Sequence, residues 1–316
     1  MLLAIFLLLL GIALLYGGGE LLVDNSIRLA KNFNISNMVI GLTVVAFGTS
    51  CPELATSMAA ALTGSPDIAI GNAFGSNVAN IGLILGLSAL IMPFTVTGAF
   101  LRREVAFMIL STVLVYPLMV NGLLNRLEGL ILFLLLLGFL YVLVRDPGAQ
   151  DEHMVHAPDL ERKPRPVGLA SLGVVVGVGL LVGGAEALVE GGRYVATAFG
   201  VSERVIGFTI VAFGTSLPEL AASIVAARRG EGDLVMGNLV GSNIFNLLCI
   251  LGLTAMVVPI PVSPESMRLD FWMMLGVSVL LLVVLVSNKK LVRSEGVLLV
   301  VIYLSYIAYL FWDGGS

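Results

Sequence analysis

Long apolar runs, with charged residues gathered between them, occupy almost the whole of this 316-residue chain. A helix crosses the hydrocarbon core of a bilayer with about 20 apolar residues. Hydrophobic residues make up 58% of the chain and charged residues 12%, which is about half the charged share of a soluble domain. This pattern excludes a soluble enzyme, a disordered chain and a nucleic-acid-binding protein. It predicts an all-α polytopic membrane protein, with the lipid bilayer as its surroundings.

Ten apolar runs predict ten transmembrane helices. Their approximate limits are residues 2–24, 37–62, 67–92, 104–121, 127–144, 167–190, 203–227, 233–258, 268–287 and 294–312. The most polar segment, residues 145–166, divides the chain near its midpoint and is too short to form a domain. We therefore expect a first five-helix repeat over 1–144, a cytoplasmic linker over 145–166 and a second five-helix repeat over 167–316.

The distribution of lysine and arginine predicts how these helices are oriented. If the N-terminus lies outside, the cytoplasmic connections hold thirteen of the 17 basic residues and the external connections hold four. Basic residues gather in cytoplasmic connections of membrane proteins. We therefore expect both termini to lie outside.

The two halves of the chain repeat one another. Residues 41–87 align with residues 207–253 at a constant offset of 166, and 27 of the 47 aligned positions are identical. Because each half holds five predicted helices, an odd number, the second half must enter the membrane from the opposite side. Inverted repeats with interrupted helices at their interface are typical of secondary transporters.

The repeated motifs GTSCPE and GTSLPE place a proline and a glutamate near the middle of the second and seventh predicted helices. A proline within a helix removes one backbone hydrogen bond, so Pro52 and Pro218 should loosen the carbonyl groups that precede them. Such carbonyl oxygens can bind a hard cation, and the alternative is a packing kink. The predicted helix of Glu53 holds no basic residue, and that of Glu219 holds only Arg204, at its start and far from the glutamate. Because a charged residue at mid-membrane is unfavourable, we expect a bound cation to balance the pair, rather than a protonated structural pair.

Hydroxyl and amide side chains accompany the glutamates on the predicted helix faces. Thr49 and Glu53 are four residues apart, as are Thr215 and Glu219, so each pair shares one helix face. From the residue types and spacing we expect ligand roles for Thr49, Thr215, Ser76, Ser242, Asn80 and Asn246. Asn72, Asn77, Asn238 and Asn243 could equally be ligands or interhelical hydrogen-bonding groups. Glu20 and Glu186 lie near the ends of predicted helices, where we expect them to reach an interface or cap a helix.

The motif GTSxPE followed by GNxxGSNxxN, present twice, resembles the cation/Ca²⁺ exchanger superfamily and, within it, the prokaryotic Na⁺/Ca²⁺ exchangers. The resemblance implies that Glu53 and Glu219 are shared by Ca²⁺ and Na⁺, with further oxygens from Thr49 and Thr215. It implies that flanking Na⁺ sites are completed by Ser50, Ser216, Ser76, Ser242 and the carbonyl groups of Ala46 and Ala212, and that Asn80 and Asn246 line the centre.

Two departures refine this expectation. Some relatives carry an aspartate at the position of Asn246, including those that also transport K⁺, so we do not expect K⁺ dependence. The animal exchangers hold a large regulatory insert where this chain has only residues 145–166, so we expect no regulatory domain.

The predicted function is therefore Na⁺/Ca²⁺ antiport by alternating access, with these ions as substrates and no cofactor. The nearest alternative is a H⁺/Ca²⁺ antiporter that uses the same glutamates. An intramembrane protease would need paired aspartates, a serine with a basic partner or a zinc motif, yet both histidines lie in the linker. We expect no enzyme activity, and the two-fold design argues against a passive channel. A prokaryotic plasma (inner) membrane is the expected location, while stoichiometry, flux direction and oligomeric state stay open.

Overall fold

The computed structural model describes residues 1–145, 165–199 and 212–313. The first half contains α1 (Leu2–Phe33), α2 (Asn37–Ile40), α3 (Ala46–Thr49), α4 (Cys51–Leu62), α5 (Pro66–Ala79), α6 (Gly86–Ile91), β1 (Phe94–Thr95), α7 (Gly98–Phe100), α8 (Ala106–Met119), β2 (Leu123–Leu124) and α9 (Arg126–Arg145). Continuous π-helical turns join α2 to α3 (Gly41–Val45), α5 to α6 (Asn80–Leu85) and α7 to α8 (Leu101–Val105).

The second half contains α10 (Val167–Ala198), α11 (Ala212–Gly214), α12 (Leu217–Arg228), α13 (Gly232–Phe245), α14 (Leu251–Val257), β3 (Ile260–Pro261), α15 (Phe271–Asn288), β4 (Lys290–Leu291) and α16 (Arg293–Asp313). π-Helical turns join α13 to α14 (Asn246–Ile250) and precede α15 (Ser266–Asp270). The protein is thus mostly helical, and the all-α prediction is corrected only by strands of two residues each.

Seven helical stretches of the described chain are long and apolar enough to cross a membrane. They are Leu2–Phe33, Pro66–Ile91, Arg126–Arg145, Val167–Ala198, Gly232–Val257, Ser266–Asn288 and Arg293–Leu310. An eighth is the pair Asn37–Thr49 and Cys51–Leu62, which is bent by 43°. The predicted span 104–121 overlaps a helical stretch, 98–119, that carries three charged residues at 102–104. The predicted span 203–227 lies partly outside the described residues, and α12 covers its end.

Helices α1 and α10 are each 32 residues long, well beyond the predicted spans 2–24 and 167–190. At about 1.5 Å per residue each measures about 48 Å, which exceeds the roughly 30 Å of a hydrocarbon core. No proline interrupts α1, and it ends only where Asn34 adopts a left-handed conformation with φ 54°. Arg28 and Lys31, which we expected in a connection between helices, therefore lie on the last turns of α1.

Glycines bring α1 and α10 into close contact along their length. A Cβ atom on Gly11 would lie 2.8 Å from the carbonyl oxygen of Gly184, and one on Gly18 would lie 2.8 Å from the backbone nitrogen of Leu181. Further along α1, the backbone nitrogen of Leu22 lies 2.7 Å from the Cβ position of Gly177. Residue numbers rise along one helix as they fall along the other, so the two helices run antiparallel.

The middle of the molecule is formed by α13, which packs along the segment that runs from α2 to α3. A Cβ atom on Gly237 would overlap the carbonyl oxygen of Met38, and one on Gly241 would lie 2.8 Å from the Cβ atom of Ala46. Residue numbers rise in the same direction along α13 and along the segment from α2 to α3, so the two run parallel. Residues of α13 from Leu234 to Phe245 are all buried, whereas α1 exposes large apolar side chains such as Leu2, which is 87% exposed. Apolar outer faces of this kind suit contact with lipid.

Each end of the bundle is tied by a pair of short antiparallel strands. At one end β1 pairs with β4, with Phe94 opposite Leu291, and at the other β2 pairs with β3, with Leu124 opposite Ile260. Gly232 at the start of α13 packs against Phe94, with 3.1 Å between the Cβ position of Gly232 and Cδ1 of Phe94. The first end therefore also holds the connection between α12 and α13.

Polar contacts bring further connections to this first end. The guanidinium of Arg165 donates to Asn25 Oδ1 at 3.3 Å, which joins the start of α10 to the end of α1. Asn37 Nδ2 donates to Glu231 Oε2 at 3.0 Å, which joins the start of α2 to the same region. Lys289 and Arg102 lie together there, since Nζ of Lys289 and Nη2 of Arg102 are 3.7 and 3.9 Å from the Cβ position of Gly98.

Candidate ion-binding site

Two broken helices meet at the centre of the fold. Ser50 separates α3 from α4 and has φ −82° and ψ 4°, outside helical geometry. Ser216 precedes α12 with nearly the same conformation, φ −88° and ψ 4°. Pro52 and Pro218 stand in the first turns of α4 and α12, where the missing N–H of a proline is tolerated. The prolines therefore begin new helical segments near the middle of the second and seventh predicted helices, as the motif predicts.

Glu53 and Glu219 follow in the first turns of these segments, and each is 1% exposed. The hydroxyl of Ser50 donates to Glu219 Oε1 at 3.1 Å, and that of Ser216 lies 3.4 Å from Glu53 Oε1. Each carboxylate is thus contacted by the serine of the other half. The second carboxylate oxygen of each glutamate is buried and has no hydrogen-bond partner. Within the described residues, no lysine, arginine or histidine forms an ion pair with either glutamate.

The two threonines also contact the opposite half. Thr49 Oγ1 lies 3.3 Å from Asn238 Oδ1, and Thr215 Oγ1 lies 3.3 Å from Asn72 Oδ1. The amide of Asn72 donates to Ser57 Oγ at 2.9 Å, while that of Asn238 makes the equivalent bond to a serine of α12 at 3.1 Å. Of the two roles left open for Asn72 and Asn238, the structure shows the interhelical hydrogen bonds.

Ser76 and Ser242 come from the same level of α5 and α13. Ser76 Oγ lies 3.4 Å from Ser216 Oγ, so it joins the cluster around Glu53. Ser242 is fully buried, and its hydroxyl oxygen has no hydrogen-bond partner. Of these two serines, Ser76 therefore has a hydrogen-bond partner within the cluster, and Ser242 has none.

Asn80 and Asn246 each begin a π-helical turn. π-Turns inside α-helices occur frequently at functional sites because they displace side chains from regular helical positions. Both asparagines are 1% exposed, and the Oδ1 atom of each is buried without a hydrogen-bond partner. Their amide nitrogens, in contrast, are hydrogen-bonded.

The family resemblance implies the backbone carbonyls of Ala46 and Ala212 as ligands, and the structure describes the hydrogen bonds of the first. The Ala46 carbonyl oxygen accepts the backbone N–H of Ser50 at 3.0 Å and lies 3.4 Å from Thr49 Oγ1, so it is not freed by Pro52. A carbonyl oxygen has two lone pairs and can accept more than one partner. Ala212 is the first residue of α11, and the residues just before it lie outside the described chain.

The central helices therefore offer several buried oxygens that the protein itself leaves unpaired. They are one carboxylate oxygen each of Glu53 and Glu219, the side-chain oxygens of Asn80 and Asn246, and the hydroxyl of Ser242. Buried polar atoms without partners are unfavourable, and hard cations prefer oxygen ligands. Among the described residues no group of three or more His, Cys, Asp or Glu could hold a metal. The arrangement thus suits an ion bound by mixed carboxylate, amide and hydroxyl oxygens.

A polytopic helical bundle with broken helices around buried polar oxygens is typical of secondary membrane transporters. The family described as "Sodium/calcium exchanger protein" matches residues 3–145 and 169–312. The chain belongs to this family, which confirms the resemblance drawn from the repeated motifs.

Relatives match along nearly the whole length of the chain. Inner membrane protein YrbG of Escherichia coli is 38% identical, over 99% of this chain and 98% of its own. Sodium/calcium exchanger MaX1 of Methanosarcina acetivorans is 33% identical, over 97% and 98%. A structure of the sodium-calcium exchanger NCX_Mj superposes with a TM-score of 0.84 and 35% identity, over 98% of this chain and 99% of that one. The protein is therefore a multi-pass membrane protein with the fold of a prokaryote-type exchanger.

Some contacts were not predicted from the sequence. Glu20 forms an ion pair with Arg229, at the end of α12. Glu186, its counterpart at an offset of 166, is exposed. Met108 and Met274 contact asparagines next to the site. These methionines are also related by the offset of 166, and extending the repeat comparison downstream would have revealed them.

Proposed function

We propose that the chain is a secondary antiporter that exchanges Na⁺ for Ca²⁺ across the membrane by alternating access. The observation that carries this proposal is the pair of buried carboxylates, Glu53 and Glu219, which face each other's serines and lack a cationic partner in the described chain. Two carboxylates match the charge of one Ca²⁺. The names of the relatives, sodium/calcium exchanger MaX1 and NCX_Mj, support the choice of ions.

Competition for these carboxylates would couple the two fluxes. The site holds either one Ca²⁺ or several Na⁺, because the same carboxylate oxygens serve both ions. If three Na⁺ exchange for one Ca²⁺, as the family resemblance implies, one net charge moves in each cycle. Such a movement is worth about 2.3 kcal/mol per 100 mV of membrane potential. Ser50, Ser216, Ser76, Ser242, Thr49, Thr215, Asn80, Asn246 and the carbonyls of Ala46 and Ala212 supply the remaining oxygens.

We further propose ten membrane crossings, arranged as two inverted five-helix repeats with both termini outside. The antiparallel course of α1 and α10, which are equivalent helices of the two repeats, supports the inversion. The end of the bundle that holds β1 and β4 also holds Lys289, Arg102 and Arg165, which supports a cytoplasmic position for that end.

Single cysteines at Gly98 and Asn121, in a chain without its native cysteines, test this orientation. A membrane-impermeant maleimide applied to intact cells should label only Asn121→Cys, and labelling of Gly98→Cys instead would reverse the orientation.

Reconstituted vesicles test the exchange itself. An outward Na⁺ gradient should drive uptake of ⁴⁵Ca²⁺, and Glu53→Gln or Glu219→Gln should abolish it, because the site loses one of its two negative charges. Glu186→Gln is the matched control, since Glu186 is an exposed glutamate of α10, and it should transport at the wild-type rate.

Two results would overturn the proposal. Uptake driven by a pH gradient but indifferent to a Na⁺ gradient would establish the H⁺/Ca²⁺ antiporter instead. Transport retained in both Glu53→Gln and Glu219→Gln would show that the ions bind elsewhere.

A further inference from the structure

Four asparagines cross-link the two halves beside the ion-binding site. Asn80 and Asn246, here the inner asparagines, carry the unpaired oxygens described above. Asn77 and Asn243, the outer asparagines, lie three residues earlier on the same helices. Asn246 Nδ2 donates to Asn77 Oδ1 at 2.9 Å, and Asn80 Nδ2 donates to Asn243 Oδ1 at 3.4 Å. Each inner asparagine is therefore held by the outer asparagine of the other half.

A methionine of the other half contacts each outer asparagine. Asn77 Nδ2 donates to the sulfur of Met274 at 3.4 Å, and Asn243 Nδ2 lies 3.6 Å from the sulfur of Met108. Asn77 Nδ2 also donates to the backbone carbonyl of Asn243 at 3.3 Å. A thioether sulfur accepts weakly and cannot donate. The group turned toward the methionine must then be the amide NH₂, which leaves the oxygen of the outer asparagine to accept from the inner asparagine.

This orientation determines what the inner asparagines present to the site. An amide has an oxygen on one side and an NH₂ group on the other. Because the outer asparagine offers an oxygen, the inner one turns its NH₂ toward it and its oxygen away. That oxygen is buried and has no partner in the protein, like the second carboxylate oxygens of Glu53 and Glu219. The opposite orientation would aim NH₂ protons at the site and repel a cation.

We propose that the outer asparagines, held by Met108 and Met274, are positioning residues that aim the oxygens of the inner asparagines at the transported cation. The proposal rests on the proposed function and adds residues that do not themselves touch the ion. It applies twice, once in each half, because both methionines, both outer and both inner asparagines are related by the offset of 166. Removing such a supporting contact typically lowers metal affinity by about 10-fold or more.

Met274→Leu tests the proposal with little change in volume. It should raise the half-saturating Ca²⁺ concentration for Na⁺-driven uptake by about 10-fold and leave the maximal rate near that of wild type. The matched control is Met273→Leu, at the neighbouring, partly buried residue of α15, which should leave both values unchanged. Met274→Gln, which restores an acceptor at similar reach, should recover most of the affinity.

A binding measurement separates this role from simple packing. Added Ca²⁺ should raise the melting temperature of the purified protein less in Met274→Leu than in wild type and Met273→Leu. A packing role would lower the melting temperature without Ca²⁺ and leave the Ca²⁺-dependent increase intact, which would overturn the proposal. Equal half-saturation in wild type and Met274→Leu would overturn it as well. If wild type fails to transport Ca²⁺ in exchange for Na⁺, the proposed function fails, whereas the Ca²⁺-dependent melting shift still tests the positioning role.

Discussion

Helices α1 and α10 approach each other so closely that adding a single methyl group at their contact should push them apart. A Cβ atom on Gly18 would lie 2.8 Å from the backbone nitrogen of Leu181 and 2.9 Å from the carbonyl oxygen of Gly177. Ordinary contacts of a Cβ atom begin near 3.4 Å, so Gly18→Ala requires the helices to move apart by about 0.6 Å. Overpacking of this kind lowers the free energy of unfolding by about 1–3 kcal/mol.

The neighbouring residue provides the control. A Cβ atom on Gly17 meets no atom within 4 Å, so Gly17→Ala gains the helix propensity of alanine, up to about 1 kcal/mol, without a clash. Gly18→Ala gains the same propensity but also loses unfolding free energy through the steric clash. The difference in unfolding free energy between the two variants should therefore equal the packing effect alone, about 1–3 kcal/mol.

The same comparison can be made on the partner helix. A Cβ atom on Gly184 would lie 2.8 Å from the backbone nitrogen of Leu15, whereas one on Gly183 meets nothing within 4 Å. Reversible unfolding in mixed micelles, followed by helical circular dichroism, should rank Gly17→Ala and Gly183→Ala above Gly18→Ala and Gly184→Ala. Equal unfolding free energies within each neighbouring pair would refute the close helix contact.

Two further predictions concern polar contacts between helices. Arg229→Gln should lower the unfolding free energy by about 1 kcal/mol or less, because its partner Glu20 is 31% exposed and surface pairs contribute little. Arg228→Gln should have no effect, and a double-mutant cycle of Glu20→Gln and Arg229→Gln should give a coupling energy of about 1 kcal/mol or less. Tyr306→Phe removes a 2.8 Å hydrogen bond to Asp270 and should cost about 1–2 kcal/mol in chemical denaturation. Asp270→Asn keeps an acceptor and should lose less; a larger loss would contradict this assignment.

The sequence predicted the membrane class and the helical segments because hydropathy is a local property. It underestimated α1, since the predicted limit at residue 24 was set by charge, whereas the helix continues to Phe33. A helix ends where its backbone can no longer continue or where a cap replaces its hydrogen bonds. In α1 that point is Asn34, ten residues beyond the predicted limit at residue 24.

The sequence predicted which residues form the candidate site, but it did not predict which of them contact one another. Helical periodicity places Thr49 and Glu53 on one face, and the repeat supplies a second copy of each. Periodicity within one helix contains no information on which residue of another helix faces it. The pairing of Ser50 with Glu219 across 169 residues of chain therefore became visible only in the fold.

The sequence by itself determined that this protein spans a membrane, that it is built from two similar halves, and which polar residues each half carries into the bilayer. Each of these follows from residue type and spacing along the chain. The tertiary structure alone decided that each half completes the polar contacts of the other, so that one glutamate oxygen and one asparagine oxygen from each half remain unpaired. The physical reason is that packing between distant helices, and not local preference, selects which hydrogen bonds are made and which oxygens are left for an ion.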